Sequence, residues 1–229
     1  MVSITPVLAI LLLLLSTSAA AEVARVAITQ IVEHPSLDAA RRGIADGLRE
    51  AGFTEGDNLE LTWQSAQGNP ATAVQIARTF AGDAPDVIVA IATPAAQAAA
   101  AATRDIPVVF SAVSDPVGAR LVRDPAHPGG NVTGVSDLSP IAAQLDLIRE
   151  ITPAVKTLGV VYNPGEANSV TLVGMVKALA PERGLRIVEA AAPRSGEVLT
   201  AARSLAGRAD AIYVPLDNTV ASALEGVIR

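Results

Sequence analysis

Asp217, Asn168 with Ser169, Thr93, and Ser114 with Asp115 are the residues of this 229-residue chain whose types and positions could hold a small charged solute. Asn168 and Ser169 open a helix pattern after an apolar run ending at Tyr162, where an amide or hydroxyl and free backbone N–H groups can hold a carboxylate. Asp217 ends another apolar run and is the natural partner for an ammonium. Thr93 ends a third run and Ser114-Asp115 follow a fourth, so these would close the site from the other side. Each has a structural alternative: a helix cap for Asn168, Ser169, Thr93 and Asp217, and an Asp-Pro turn for Asp115. Asn218 and His34 stand as further candidates, a surface loop being the ordinary reading for the histidine.

Catalytic chemistry is thinly provided for. The chain has no cysteine and two histidines, His34 and His127, neither with a partner at metal-ligand spacing. The first apolar run is followed by Thr29-Gln30-Ile31-Val32-Glu33-His34 without G-x-G-x-x-G, and neither a P-loop nor a G-x-S-x-G elbow occurs. What remains is scattered carboxylates, so the chain reads as a binder without cofactor or metal, an α/β enzyme being the weaker alternative. The net charge of −6 argues against nucleic acid or anionic membrane as partner, since both need basic surface. Asn131-Val132-Thr133 matches a glycosylation sequon, which a turn between domains explains equally well.

Two runs with one layout must position these residues. Asp86 to Thr93 and Asp210 to Asp217 each begin with Asp, run apolar, and reach a polar residue seven positions on, where a helix pattern starts. An apolar strand emptying into a helix N-terminus is how an open α/β sheet builds a ligand site, and having it twice predicts two sheets with a cleft between them. Half the residues are hydrophobic and only 3% aromatic, so the core is built from Ala, Val, Leu and Ile.

Along the chain, Val7 to Leu15 is apolar, Ser16 to Ala20 is small, and Ala19-Ala20-Ala21 offers a cleavage site, which together predict a secretory signal peptide over 1–21. A transmembrane anchor needs about 20 apolar residues, and no cysteine is present for lipidation, so no stable membrane anchor is expected. Strands are predicted at 23–28, 59–63, 87–91 and 108–110. Between them fall helices capped by Ser36, by Asn69-Pro70 with Val74, Ala77 and Phe80 inward, and by Thr93-Pro94. This alternation means parallel strands joined by right-handed crossovers. An irregular segment, 111–139, follows, with the crossing between domains at 131–135. The alternation then restarts: helix 140–150, strand 158–162, helix 169–180, strand 185–189, helix 196–206, strand 211–214 and a helix from Asn218. The expected domains are 22–133 and 134–229, the second incomplete with three strands.

At these junctions the chain resembles a known family. His34-Pro35-Ser36-Leu37-Asp38, Ser114-Asp115-Pro116-Val117, Gly130 to Val135, Tyr162 to Ser169, and Pro215-Leu216-Asp217-Asn218-Thr219 occur in order. Over Glu22 to Arg229 the sequence is similar to the solute-binding proteins of ABC transporters, in the amino-acid-binding group close to the tryptophan-binding lipoproteins. That resemblance implies two Rossmann-like parallel-sheet domains with an inter-domain cleft, the type I periplasmic-binding-protein fold, here truncated in the second domain. It implies a periplasmic monomer that captures an amino acid or similar zwitterion and delivers it to an ABC permease, and for Asp217 it favours the ligand over the cap. A ligand-sensing domain feeding a receptor is the alternative. Family members are usually longer, and those with a lipid anchor carry a cysteine absent here.

Overall fold

The computed structural model of the chain describes residues 23–228; the leader read at 1–21 lies outside them. Five parallel strands, β1 (Ala24–Gln30), β2 (Leu59–Ser65), β3 (Val87–Ile91), β4 (Val108–Ser111) and β5 (Val132–Gly134), form a first sheet in the order β2-β1-β3-β4-β5. Central parallel strands are covered on both faces and so must be apolar on both. Ile28, Ile88, Ala90 and Ile91 are accordingly fully buried. One face packs on α2 (Pro70–Asp83) and α3 (Thr93–Ala102) through Ala73, Ile76, Ala77, Phe80, Ala95 and Ala99. The other receives Leu37, Ile44 and Leu48 of α1 (Pro35–Glu50). Alanine dominates α3 because it lies close against both the sheet and α2.

Several local expectations are corrected. His34, not Ser36, caps α1: its Nδ1 accepts from Ser36 N at 3.3 Å, and Pro35 occupies the first turn, where its missing N–H costs nothing. Val74 is exposed and Ile76 takes the inward place on α2. Thr93 is not a cap either, since Ala92 holds that position with φ +74° and no side-chain bond to the helix start. The segment read as a crossing, 131–135, instead adds β5 to the first sheet. Gly134 makes this pairing possible, because a Cβ there would lie 2.1 Å from the Phe110 carbonyl oxygen. Gly134→Ala is therefore expected to destabilise the fold by about 1–3 kcal/mol, the usual range for overpacking, read as a lower urea midpoint. An unchanged midpoint would mean that β5 does not need this approach.

The second sheet has the order β7-β6-β8, from β6 (Thr157–Tyr162), β7 (Arg186–Ala191) and β8 (Ala211–Tyr213), again all parallel. Around it lie α4 (Ile141–Ile151), α5 (Ala167–Leu179), α6 (Val198–Arg203), α7 (Asn218–Ala221) and α8 (Glu225–Ile228). The helix expected from 196 is preceded by a tighter turn over 195–197, and the one expected from Asn218 is split into two short pieces. Leu145, Leu158, Val160, Leu172 and Val176 form the core on one face. Val161, Val198, Leu205 and Val220 form it on the other.

The repeated layout seen in the sequence has a structural counterpart. Asp86 Oδ2 accepts the amide of Arg25 at the start of β1, at 2.7 Å. Asp210 Oδ2 accepts those of Lys156 and Thr157 at the start of β6, at 2.9 and 2.8 Å, and these bonds hold its carboxyl below the usual range. In each sheet the aspartate thus pins the start of the strand it precedes to the start of its parallel neighbour. The polar residues seven positions on, Thr93 and Asp217, then emerge at equivalent helix starts.

Candidate functional site

Both sheets reverse their strand order at one place, between β1 and β3 in the first and between β6 and β8 in the second. Open α/β sheets bind ligands at the carboxyl ends of strands beside such reversals. A cavity of about 300 Å³ lies there. The first half and the connecting segment contribute Val32, His34, Ser36, Leu37, Ala112, Ser114 and Asp137 to its wall; the second contributes Asn168, Pro215, Leu216, Asp217, Asn218 and Ala221. A wider, open basin of about 950 Å³ beside β5, lined by Arg104, Arg120, Arg123 and His127 among others, includes none of the buried polar side chains. The smaller cavity takes in three of them, Ser114, Asn168 and Asp217.

The second half of the site is built on two buried carboxylates. Asp217 caps α7 by accepting from Val220 N at 2.7 Å through Oδ1. Its Oδ2 accepts from Asn163 N at 2.5 Å and from the Ser169 hydroxyl. Glu166, at the cap position of α5, leaves that helix without a side-chain cap and serves α7 instead. Its Oε1 accepts from Thr219 N and Oγ1 at 2.9 and 2.7 Å, and its Oε2 from Asn218 N and Nδ2 at 3.1 and 2.7 Å. Asn163 Nδ2 donates to Thr219 Oγ1 at 2.8 Å, which closes the corner. Burial, and after it the charge of Glu166, hold the Asp217 carboxyl above the usual carboxylate range.

The residues singled out in the sequence fall in several places. Ser169 is fully buried and its hydroxyl is committed to Asp217. Asn168, on the cavity wall, donates through Nδ2 to Leu216 O at 2.8 Å and Glu166 Oε2 at 3.2 Å; its Oδ1 is buried and has no protein partner. Because two acceptors face the nitrogen, the amide orientation follows from the network. Asn218 lines the cavity with its amide held by Glu166. Ser114 lines it and donates to Asp137 Oδ1 at 2.9 Å, and His34 lines it while capping α1. Thr93 does not line the cavity; it is buried at the uncapped start of α3 with its hydroxyl without a protein partner, as are Thr29 Oγ1 and Gln30 Oε1 on β1. Asp115 is placed apart: it does not line the cavity, its Oδ1 accepts Gly118 N at 2.8 Å in the turn, and its Oδ2 meets Thr171. Glu166, Asn163 and Asp137 were missed. Asn163-Pro164-Gly165 before a helix was the available signal for the turn and for Asn163, while nothing local marks Glu166. Among the described residues no group of three or more His, Asp or Glu is placed to hold a metal.

This geometry has relatives. The family model described as ABC transporter substrate binding protein matches residues 25–229. The chain belongs to that family of binding proteins. It is 43% identical over 199 residues to a tyrosine-binding protein of Clostridioides difficile, an alignment covering 87% of this chain and 58% of that one. It therefore spans less than two thirds of the length of that curated relative. An ABC domain from Streptococcus pneumonia in complex with L-Trp superposes with a TM-score of 0.87 at 41% identity, over 90% of this chain and 69% of the other. A ligand-free, open substrate-binding protein with adhesive properties from Clostridium difficile superposes with a TM-score of only 0.63, at 45% identity and the same 90% coverage, over 70% of that chain. Identity and coverage are nearly equal, so what separates the two scores is arrangement. The two sheets of this substrate-binding protein sit as they do in the Trp-bound relative. Its type I periplasmic-binding architecture, α/β with two parallel sheets, agrees with the expectation from sequence.

Proposed function

We propose that this chain captures an amino acid between its two halves and hands it to an ABC permease on the outer side of a membrane. The observation that carries this reading is the pairing of Asn168 Oδ1, a buried acceptor without a partner, with the Asp217 carboxylate on one wall of the cavity. An ammonium donates to both, and a carboxylate has about four acceptor positions, of which three are filled on Asp217. The sequence reading put the ligand carboxylate at the start of α5. Two buried carboxylates beside that start disfavour a second anion, so we place the ligand carboxylate toward the first half of the cavity, whose wall includes His34 and Ser36.

Val32, Leu37, Ala112, Pro215, Leu216 and Ala221 form an apolar part of the wall that suits an apolar side chain. A Trp complex and a tyrosine-binding protein among the relatives support that choice. The leader at 1–21 supports an extracytoplasmic location, and the family supports a permease as the receiving partner. We place the first half through the end of β5 at Gly134 and the second half after it, and the working unit is a monomer.

Calorimetric titration with a panel of free L-amino acids tests the reading. Binding of those with apolar side chains is expected. A panel in which no amino acid binds would overturn the reading.

A further inference from the structure

We infer that Asp115 and Thr171 form a closure contact that raises ligand affinity from outside the ligand cavity. This rests on the reading that the ligand is held between the two halves. Thr171 lies on α5 of the second half, and its Oγ1 donates to Asp115 Oδ2, in the loop after β4 of the first, at 3.1 Å. Neither residue lines the cavity.

The carboxylate is aimed by its own loop. Gly118 N donates to Asp115 Oδ1 at 2.8 Å, Ala119 N donates to the Asp115 carbonyl at 2.9 Å, and Leu121 N to that of Pro116 at 2.9 Å. Gly118 leaves room for this: a Cβ there would lie 2.1 Å from Asp115 Oδ2 and 3.2 Å from Thr171 Oγ1. The turn thus presents a fixed acceptor to the other half, and α3 packs against α5 alongside it. The chain scores 0.87 against the Trp-bound relative and 0.63 against the open one, so the contact is observed in the arrangement resembling the former.

A bond that spans the halves is lost when they separate, so it weights the closed arrangement. Apparent affinity is the intrinsic affinity multiplied by the fraction that is competent to hold the ligand, so a contact that never touches the ligand still sets its dissociation constant. The bond is charge-assisted but half exposed, which places its expected worth at about threefold to tenfold in affinity, expressed mainly as faster dissociation.

The test uses Thr171→Val, which removes the hydroxyl and keeps the shape, and Gly118→Ala, which displaces the Asp115 carboxylate. Because the chain has no cysteine, dye labels at Arg78→Cys and Arg203→Cys, both exposed and on opposite halves, report the separation directly. Both variants are expected to shift the ligand-free distance distribution toward larger separations, to bind about threefold to tenfold more weakly, and to keep the wild-type melting temperature. Wild-type distances and affinity in both would overturn the inference, as would a lowered melting temperature with unchanged distances, the mark of a local structural role. If no amino acid binds even the wild-type chain, the ligand reading fails, while the ligand-free distances still decide the contact: larger separations support it and unchanged ones overturn it.

Discussion

Glu166→Ala is expected to lower the free energy of unfolding by about 3–5 kcal/mol, the cost of removing one partner from a buried charged network. The loss is large because Glu166 is the acceptor for two backbone amides, Asn218 N and Thr219 N, and for two side chains on the same short helix. Alanine leaves these half-buried donors without their acceptor, and α7 holds only four residues with which to compensate. Glu166→Gln separates charge from shape: its amide nitrogen would face donors, so it too should destabilise, but by less. Urea unfolding of the three proteins measures both effects. A change below about 1 kcal/mol in the alanine variant would mean that water takes over the carboxylate's bonds and that the corner is held by something else.

Asp217→Ala is expected to weaken amino-acid binding on the order of tenfold to a hundredfold, the range for a buried charge-assisted hydrogen bond. The same variant should alter the pH dependence of stability. Burial first and Glu166 second penalise the ionised form of Asp217, so its folded value lies above the ordinary 3.8. Between those two values the folded chain holds a proton that the unfolded chain has released. The stability this proton confers is fully present below about pH 4 and is lost as pH rises through the folded value. Asp146, Asp210 and Glu189 are shifted down by their partners, so they act in the opposite sense and only at lower pH. As pH rises from about 4 through the folded value of Asp217, therefore, wild-type stability should fall relative to that of Asp217→Ala. Affinity should rise over the same window, because the ammonium needs the ionised acid. Parallel urea titrations and calorimetry across pH check both, and an identical slope in the two proteins would remove Asp217 as the titrating group.

What could be read in the sequence was whatever depends on neighbours in the chain. The strand-helix alternation was visible because apolar runs and punctuating residues are local signals, and Asn69 caps α2 as its type predicts. The Asp86 and Asp210 runs announced both sheets for the same reason. β5 escaped, because three residues between proline-rich and glycine-rich stretches carry no period of their own and pair only by lying alongside β4. His34 was misplaced relative to Ser36 because capping by a ring nitrogen is rare beside capping by a hydroxyl. Glu166 was out of reach for a different reason. Its role is set 52 and 53 residues away, at Asn218 and Thr219, and no local rule makes the acid before one helix the cap of another. The same distance explains Asp115, whose partner Thr171 lies 56 residues on.

The five strands of the first sheet occupy one uninterrupted stretch, from Ala24 to Gly134, and every pairing among them is complete before the second sheet begins at Thr157. If the chain is exported N-terminus first, as we propose, this sheet can assemble on the far side while the remainder is still in transit. The pull of that folding would oppose backsliding, and translocation would be rectified by the order in which the strands were written.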